Sequence, residues 1–233
     1  MPEAILHYIH DPLCGWCYGA APLVKVARAL VAVEAHAGGM MTGSRRQPVT
    51  AQLREFVTPH DREIARQSGQ PFGSAYFEGL LKDTTAVFDS EPPIAAVLAA
   101  ESVAGRGLDL LSQLQSAHYA EGRRIADREV LTEIAQSIGL DADAFASALD
   151  AMLSGGAKEH ISQTRSLMAR LGAQGFPSLY LEIEGVMETV DLSVFLGNPV
   201  GFSAWLQERL GTDGPSAPGV ATSHQCGPDG CIL

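Results

Sequence analysis

The spacing of apolar positions changes character three times along the chain. Residues 4–10, Ala-Ile-Leu-His-Tyr-Ile-His, form a short β-rich run ended by Asp11-Pro12, and predict a buried strand. From Cys14 to about Ala35 the chain is rich in Ala, Leu and Val, with no turn residue after Pro22. This predicts a helix starting near Gly15, kinked where Pro22 removes a helical bond. Gly38–Met41 can end a short second strand, and polar residues 44–48 predict a loop. Between about 50 and 170 the spacing is helical. Pro92-Pro93 opens one run, Leu110, Leu111, Leu114, Ala117 and His118 mark another, and Val130, Leu131, Ile134 and Ile138 a third that Gly139 ends. Asp141 can cap the next helix, with Phe145 and Leu149 on one face, and Ile161, Arg165 and Met168 mark the last. Ser178–Ile183, the turn Glu184-Gly185 and Val186–Val190 then read as a hairpin. Asp191 can cap a helix that Asn198-Pro199 interrupts and that continues to Leu210. Residues 211–225 have linker composition. A strand and helix open the chain, helices fill its middle, and a hairpin and helix close it, so the pattern predicts an α/β domain split by a helical insertion.

Composition narrows the chemistry. With 46% hydrophobic and 18% charged residues among 233, the chain can build a substantial core. A net charge of −11, with 16 Lys and Arg in no dense block, argues against nucleic acid and against an anionic membrane surface. The "EGRRI" stretch is too small a basic patch to change that. No basic segment followed by an apolar run opens the sequence, and no apolar stretch reaches membrane-spanning length. A cytoplasmic location is the expectation, and there four cysteines point to catalysis or metal rather than to a disulfide scaffold. No glycine-rich phosphate loop is present, so no nucleotide is implied.

Two of the cysteines stand in "DPLCGWCYG", between the first strand and the first helix. A helix N-terminus offers unpaired N–H groups and the positive end of the helix dipole, both of which stabilise a thiolate. Cys14 at that position is the candidate attacker, with a lowered pKa, and Cys17 one turn later can bond it or resolve a mixed disulfide. Gly15-Trp16 between them carries neither charge nor imidazole, which predicts a smaller lowering of the Cys14 pKa than in a strong oxidant. Zinc would need two further ligands, and Cys226 and Cys231 lie about 210 residues away across the linker. Covalent haem needs His after the second Cys, where Tyr18 stands. Inert buried thiols remain the other alternative. The strand–Cys-x-x-Cys–helix context favours redox exchange. Gly175-Phe176-Pro177 precedes the late strand, a position where Pro is tolerated; a cis bond there would turn the Phe176 backbone toward a substrate strand.

The stretches "HYIHDPLCGWCYGAAPLV", "GGMMTG", "GQPFGSAYFEGLL", "DSEPPIAAVLAAE", "AHYAEGRRIAD" and "GFPSLYL" together resemble the DsbA-like thiol oxidoreductases, more narrowly their cytoplasmic, FrnE-like branch of protein-disulfide isomerases. The resemblance runs from about residue 4 to 210. It implies a thioredoxin fold over 1–48 and 157–210 interrupted by a helical insertion domain over 49–156, with 211–233 a flexible tail. It implies Cys14 as nucleophile, Cys17 as resolving thiol and Pro177 as a cis-Pro. The implied function is dithiol–disulfide exchange on protein or peptide thiols and disulfides, with no bound cofactor or metal, and with glutathione or another thiol as electron donor. Related branches use a Ser at the attacking position with glutathione; Cys14 and Cys17 favour dithiol chemistry over such a glutathione-dependent isomerase or transferase. A zinc-holding or chaperone module is a third function class. Phe176, Trp16, His10 and Tyr18 are the expected substrate-groove residues, His10 also because it ends the strand beside Cys14, and Asp11 borders the same groove. Cys226-Gly-Pro-Asp-Gly-Cys231 has the composition of a turn that would bring two thiols within bonding reach. A comparable pair occurs in the FrnE-like proteins, and the expectation is an auxiliary redox pair, the alternative being a tail that binds adventitious metal or oxidises in air.

Overall fold

The computed structural model describes residues 3–211. The tail from residue 212 on, with Cys226 and Cys231, lies outside the described residues. Strand β1 (Ala4–His10) is as the pattern predicts, and its last five residues are buried. Helix α1 (Gly15–Ala27) follows, with Pro22 inside it. The helix expected to reach Ala35 stops at Ala27, and β2 (Ala32–Ala37) follows instead. An alanine-rich run favours helix only weakly; here parallel pairing with β1, from Ile5–Ala32 to His10–Ala37, decides the conformation. The loop expected at 44–48 contains a 3-10 turn, Gly43–Arg45, and the two-residue strand β3 (Gln47–Pro48).

Helix α2 (Ala51–Ser68) is capped by Thr50, whose side chain accepts from the Leu53 N–H. Strand β4 (Val87–Phe88) pairs with β3. The helices α3 (Glu91–Ala104), α4 (Gly107–Tyr119), α5 (Arg128–Ser137), α6 (Ala142–Ala151) and α7 (Ala157–Leu171) complete the helical stretch. The Asp141 side chain caps α6 through the Ala144 N–H, as expected. Strands β5 (Ser178–Ile183) and β6 (Val186–Val190) form the predicted hairpin, with Glu184 at φ 49° and Gly185 at φ 80° giving the two left-handed residues of a tight turn. Asp191 caps only a single 3-10 turn, Leu192–Val194. Helix α8 (Pro199–Leu210) starts at Pro199 rather than being interrupted there, because a first-turn Pro sacrifices no helical bond and Asn198 accepts from the Gly201 N–H at 2.9 Å.

The main sheet has the order β2-β1-β5-β6, with β1 parallel to β2 and antiparallel to β5. Leu6 and Tyr8 on one face of β1 join a continuous core that runs through Leu23, Ile94, Leu110, Leu114, Phe145 and Phe202. Ile9 on the other face packs with Tyr180 of β5 and Met168 of α7. Because Ile9 lies opposite Ser178, the end of β1 and the start of β5 lie side by side. The segments that continue beyond them, Asp11–Cys14 and Gly175–Pro177, therefore meet at one end of the sheet. Among the described residues no helix is long and apolar enough to cross a membrane.

Candidate active site

Cys14 is the N-cap residue of α1, in an extended conformation, and its carbonyl accepts from the Tyr18 N–H at 3.1 Å. Both thiols are free of disulfide bonds. The Cys14 thiol donates to the Phe176 carbonyl at 3.4 Å, and the Phe176–Pro177 peptide is cis. Cys14 lines the cavity beside the helix. Cys17 lies one turn deeper and is wholly buried. Burial, followed by the adjoining Cys14 thiol, pushes the Cys17 thiol well above its ordinary range. The two sulfurs thus differ in access, one facing the cavity and one held behind it.

Below the pair sits Asp11, also wholly buried. Its Oδ1 accepts from the Leu13 N–H and the Ser90 hydroxyl, both at 2.9 Å, and its Oδ2 accepts from the Met40 N–H at 2.6 Å. One carboxylate therefore fixes the turn before Cys14, the loop after β2 and the start of α3. Burial raises its pKa against the opposing effect of these three bonds. Arg165 of α7 reaches the same loop, donating to the Gly38 carbonyl and, at 2.9 Å, to the Gly39 carbonyl, while its guanidinium lies 5.2 Å from the centre of the Phe176 ring. Gly38 permits this packing, since a Cβ there would stand 2.3 Å from the Phe176 ring.

The cavity holds about 600 Å³ between the start of α1, the loop at 40–47 and α2. Leu13, Trp16, Met41, Leu53 and Phe88 give it an apolar wall, and Arg45 and Arg46 stand among its lining. Asp61 of α2 is a buried carboxylate in this wall, and it accepts from the Tyr76 hydroxyl at 2.7 Å. It lies directly over Gly15: a Cβ at that position would be 2.6 Å from Asp61 Oδ1. Burial raises the Asp61 pKa from 3.8 to about 6, with the Tyr76 bond opposing. A carboxyl whose folded pKa is raised favours the folded state below its unfolded pKa, and that contribution is lost as pH rises through about 6. Asp61→Asn keeps an acceptor for Tyr76 and removes the buried charge. It is expected to raise stability at pH 8 by up to about 3 kcal/mol, with the gain vanishing at pH 4; urea unfolding at the two pH values checks this.

The structure brings together Cys14, Cys17, Trp16, Phe176 and Pro177. It does not bring His10 or Tyr18 into the groove. His10 is wholly buried, with its ring stacked on Tyr8 at 4.9 Å; burial, then His160 and His36, hold its pKa down to about 3. Alternation along β1 does place it with Leu6 and Tyr8, but that face is core. Tyr18 is buried as well, donating to the Pro71 carbonyl at 3.0 Å and stacked on Tyr119. Asp11, expected at the groove's border, lies beneath the site instead. Sequence reasoning missed Asp61, Tyr76, Ser90 and Arg165. For Asp61 the only signal available was a carboxylate within an amphipathic helix.

A wholly buried thiol behind one that lines a cavity, at a helix start and beside a cis-Pro, is the arrangement of a thiol–disulfide oxidoreductase. The chain belongs to the DSBA-like thioredoxin domain family, whose description matches residues 7–198. It accordingly has a thioredoxin fold with a helical insertion and is a thiol–disulfide oxidoreductase. Among solved structures it is similar to the cytosolic disulfide reductase DsbM from Pseudomonas aeruginosa, at 50% identity and a TM-score of 0.84, over 89% of this chain and 99% of that one. The same reductase determined with GSH aligns at 50% identity and a TM-score of 0.82, over 88% and 98% of the two chains. A 2-hydroxychromene-2-carboxylate isomerase, at 14% identity and a TM-score of 0.57 over 90% of this chain and 100% of that one, shares the fold. No curated protein matches the chain.

Proposed function

We infer that the chain reduces disulfides in the cytoplasm by a two-thiol exchange. The observation that carries this reading is the difference between the two sulfurs: Cys14 faces an apolar cavity and touches the Phe176 carbonyl, and Cys17 is sealed behind it. The Cys14 thiolate attacks a substrate disulfide. One substrate sulfur leaves as thiolate and the other stays bonded to Cys14. The Cys17 thiolate then attacks the Cys14 sulfur, releasing the second substrate thiolate and forming the Cys14–Cys17 disulfide. Two electrons pass to the substrate, and an external thiol returns them. Buried Cys17 needs a proton acceptor for its step, and Asp11, whose charge acts on it, is the candidate. The Phe176 carbonyl, next to the attacking sulfur, is the candidate to hold a substrate backbone, and Trp16 lines the cavity that Cys14 faces.

Glutathione is the favoured small thiol partner. Its carboxylates would find Arg45 and Arg46 in the cavity lining while its sulfur approaches Cys14, and the related Pseudomonas reductase was determined with GSH. The reducing direction and the cytoplasmic location rest on that same relative, described as a cytosolic disulfide reductase.

The test uses a Cys226→Ser/Cys231→Ser background, so that the tail thiols cannot interfere. Adding Cys17→Ser is expected to leave the first attack intact and to accumulate a mixed disulfide on Cys14, read as a mass adduct, while multiple turnover stops. Undiminished turnover would overturn the two-thiol reading in favour of single-thiol, glutathione-dependent chemistry. In the same background the Cys14/Cys17 couple should equilibrate near about −270 mV, and a value of about −120 to −180 mV would instead mark an oxidant or isomerase.

A further inference from the structure

A second cluster of ligating side chains lies on the sheet, apart from the two thiols. His7 of β1 stands opposite Glu34 of β2 in the parallel register, and His36 is two residues further along the same face of β2. His7 Nδ1 is 3.1 Å from His36 Nε2, and Glu34 Oε2 is 3.7 Å from the first nitrogen and 3.9 Å from the second. These three ligating atoms lie within 4.8 Å of one another. His7 Nε2 is 2.8 Å from Glu182 of β5. An ionised carboxylate only accepts, so the ring donates to Glu182 from Nε2, and in a neutral imidazole Nδ1 then keeps its lone pair. That lone pair is on the side facing His36 and Glu34.

From this juxtaposition we propose that His7 Nδ1, His36 Nε2 and Glu34 form a binding site for a zinc-class divalent ion. Two imidazole nitrogens at 2.0–2.1 Å from a tetrahedral ion are about 3.3 Å apart, close to the separation already present. The carboxylate has to close by only a few tenths of an ångström, and its side chain is more than half exposed and free to do so. Two nitrogens and one oxygen suit zinc, and also nickel or copper, rather than magnesium or calcium, which favour all-oxygen sets. Three protein ligands leave a fourth position for water or an exogenous ligand. Glu182 supplies the outer carboxylate that orients a metal-binding histidine. The site would tie edge strand β2 to β1, with β5 supporting it from the other side.

The experiment is a titration of the full chain with Co²⁺, whose visible absorption reports a four-coordinate nitrogen–oxygen site, and with Zn²⁺ in competition. The chain used carries Cys14→Ser, Cys17→Ser, Cys226→Ser and Cys231→Ser, which removes every thiol ligand. One equivalent should bind, with binding lost in the added Glu34→Gln/His36→Gln pair and weakened roughly 10–100-fold by Glu182→Gln. All three positions are at least partly exposed, so the substitutions need not disturb the core. The same pair of substitutions in the otherwise wild-type chain should remove one equivalent of bound zinc, a comparison that does not depend on how the thiol-free chain folds. Absence of stoichiometric binding, or binding that the double substitution leaves unchanged, would overturn the proposal.

Discussion

Replacing Cys14 with Ser is expected to lower disulfide-reducing turnover by roughly three orders of magnitude or more. A hydroxyl is not ionised near neutrality, and it cannot accept the sulfur that a mixed disulfide requires. Among the described residues no second thiol can take over, because Cys17 has no exposure at all and burial disfavours its thiolate. The loss should be in the first step, so Cys14→Ser yields no trapped adduct, in contrast to Cys17→Ser. Stability should scarcely change, since Ser is slightly smaller and also a good helix N-cap. Turnover of a small disulfide substrate, paired with a thermal unfolding curve, separates the two quantities. Turnover within tenfold of wild type would remove Cys14 from the role of attacker.

The largest effect on stability should come from Asp11. Asp11→Ala deletes the acceptor of the Leu13 N–H, the Met40 N–H and the Ser90 hydroxyl. Each buried donor left without a partner costs about 1–3 kcal/mol, so a total of about 3–5 kcal/mol is expected after partial relaxation. Asp11→Asn should cost less, because its amide oxygen can serve the Leu13 and Ser90 side. Its NH₂ then faces the Met40 N–H, where donor meets donor. Chemical denaturation of the three proteins should therefore rank Asp11→Ala below Asp11→Asn below wild type. Equal stability of Asp11→Ala and wild type would show that the loops do not depend on this carboxylate.

Local signals in the sequence carried the elements whose residues decide their own conformation. The run at 4–10, the Asp141 cap and the hairpin around Glu184-Gly185 were legible for that reason. The boundary between α1 and β2 was not. Ala32–Ala37 offers no β-branched alternation beyond Val33, and it is a strand because β1 offers a partner. At the site, Cys14, Cys17 and Phe176-Pro177 were legible as residue types whose spacing and neighbours fit one chemistry. His10 was misjudged because alternation tells which side chains share a face, and not whether that face is covered. Arg165 could not be found at all. It acts on two backbone carbonyls more than 120 residues away, and a backbone carbonyl leaves no trace in the identity of the residue that bears it.

The closeness of Asp61 to Gly15 bears on engineering. The dipeptide between two such cysteines is the usual place to retune a redox protein by grafting residues from a relative with a different potential. Here the first of its two positions is already occupied from outside, by a carboxylate on α2. A graft that brings any side chain to position 15 must first shift Asp61 Oδ1 and Ile64 Cδ1, which its Cβ would meet at 2.6 and 2.9 Å, so its effect on potential would be confounded with a rearranged cavity wall. Trp16, half-buried at the cavity, is the adjustable member of the pair, and position 15 becomes available to designs that also rebuild α2 around residues 61 and 64.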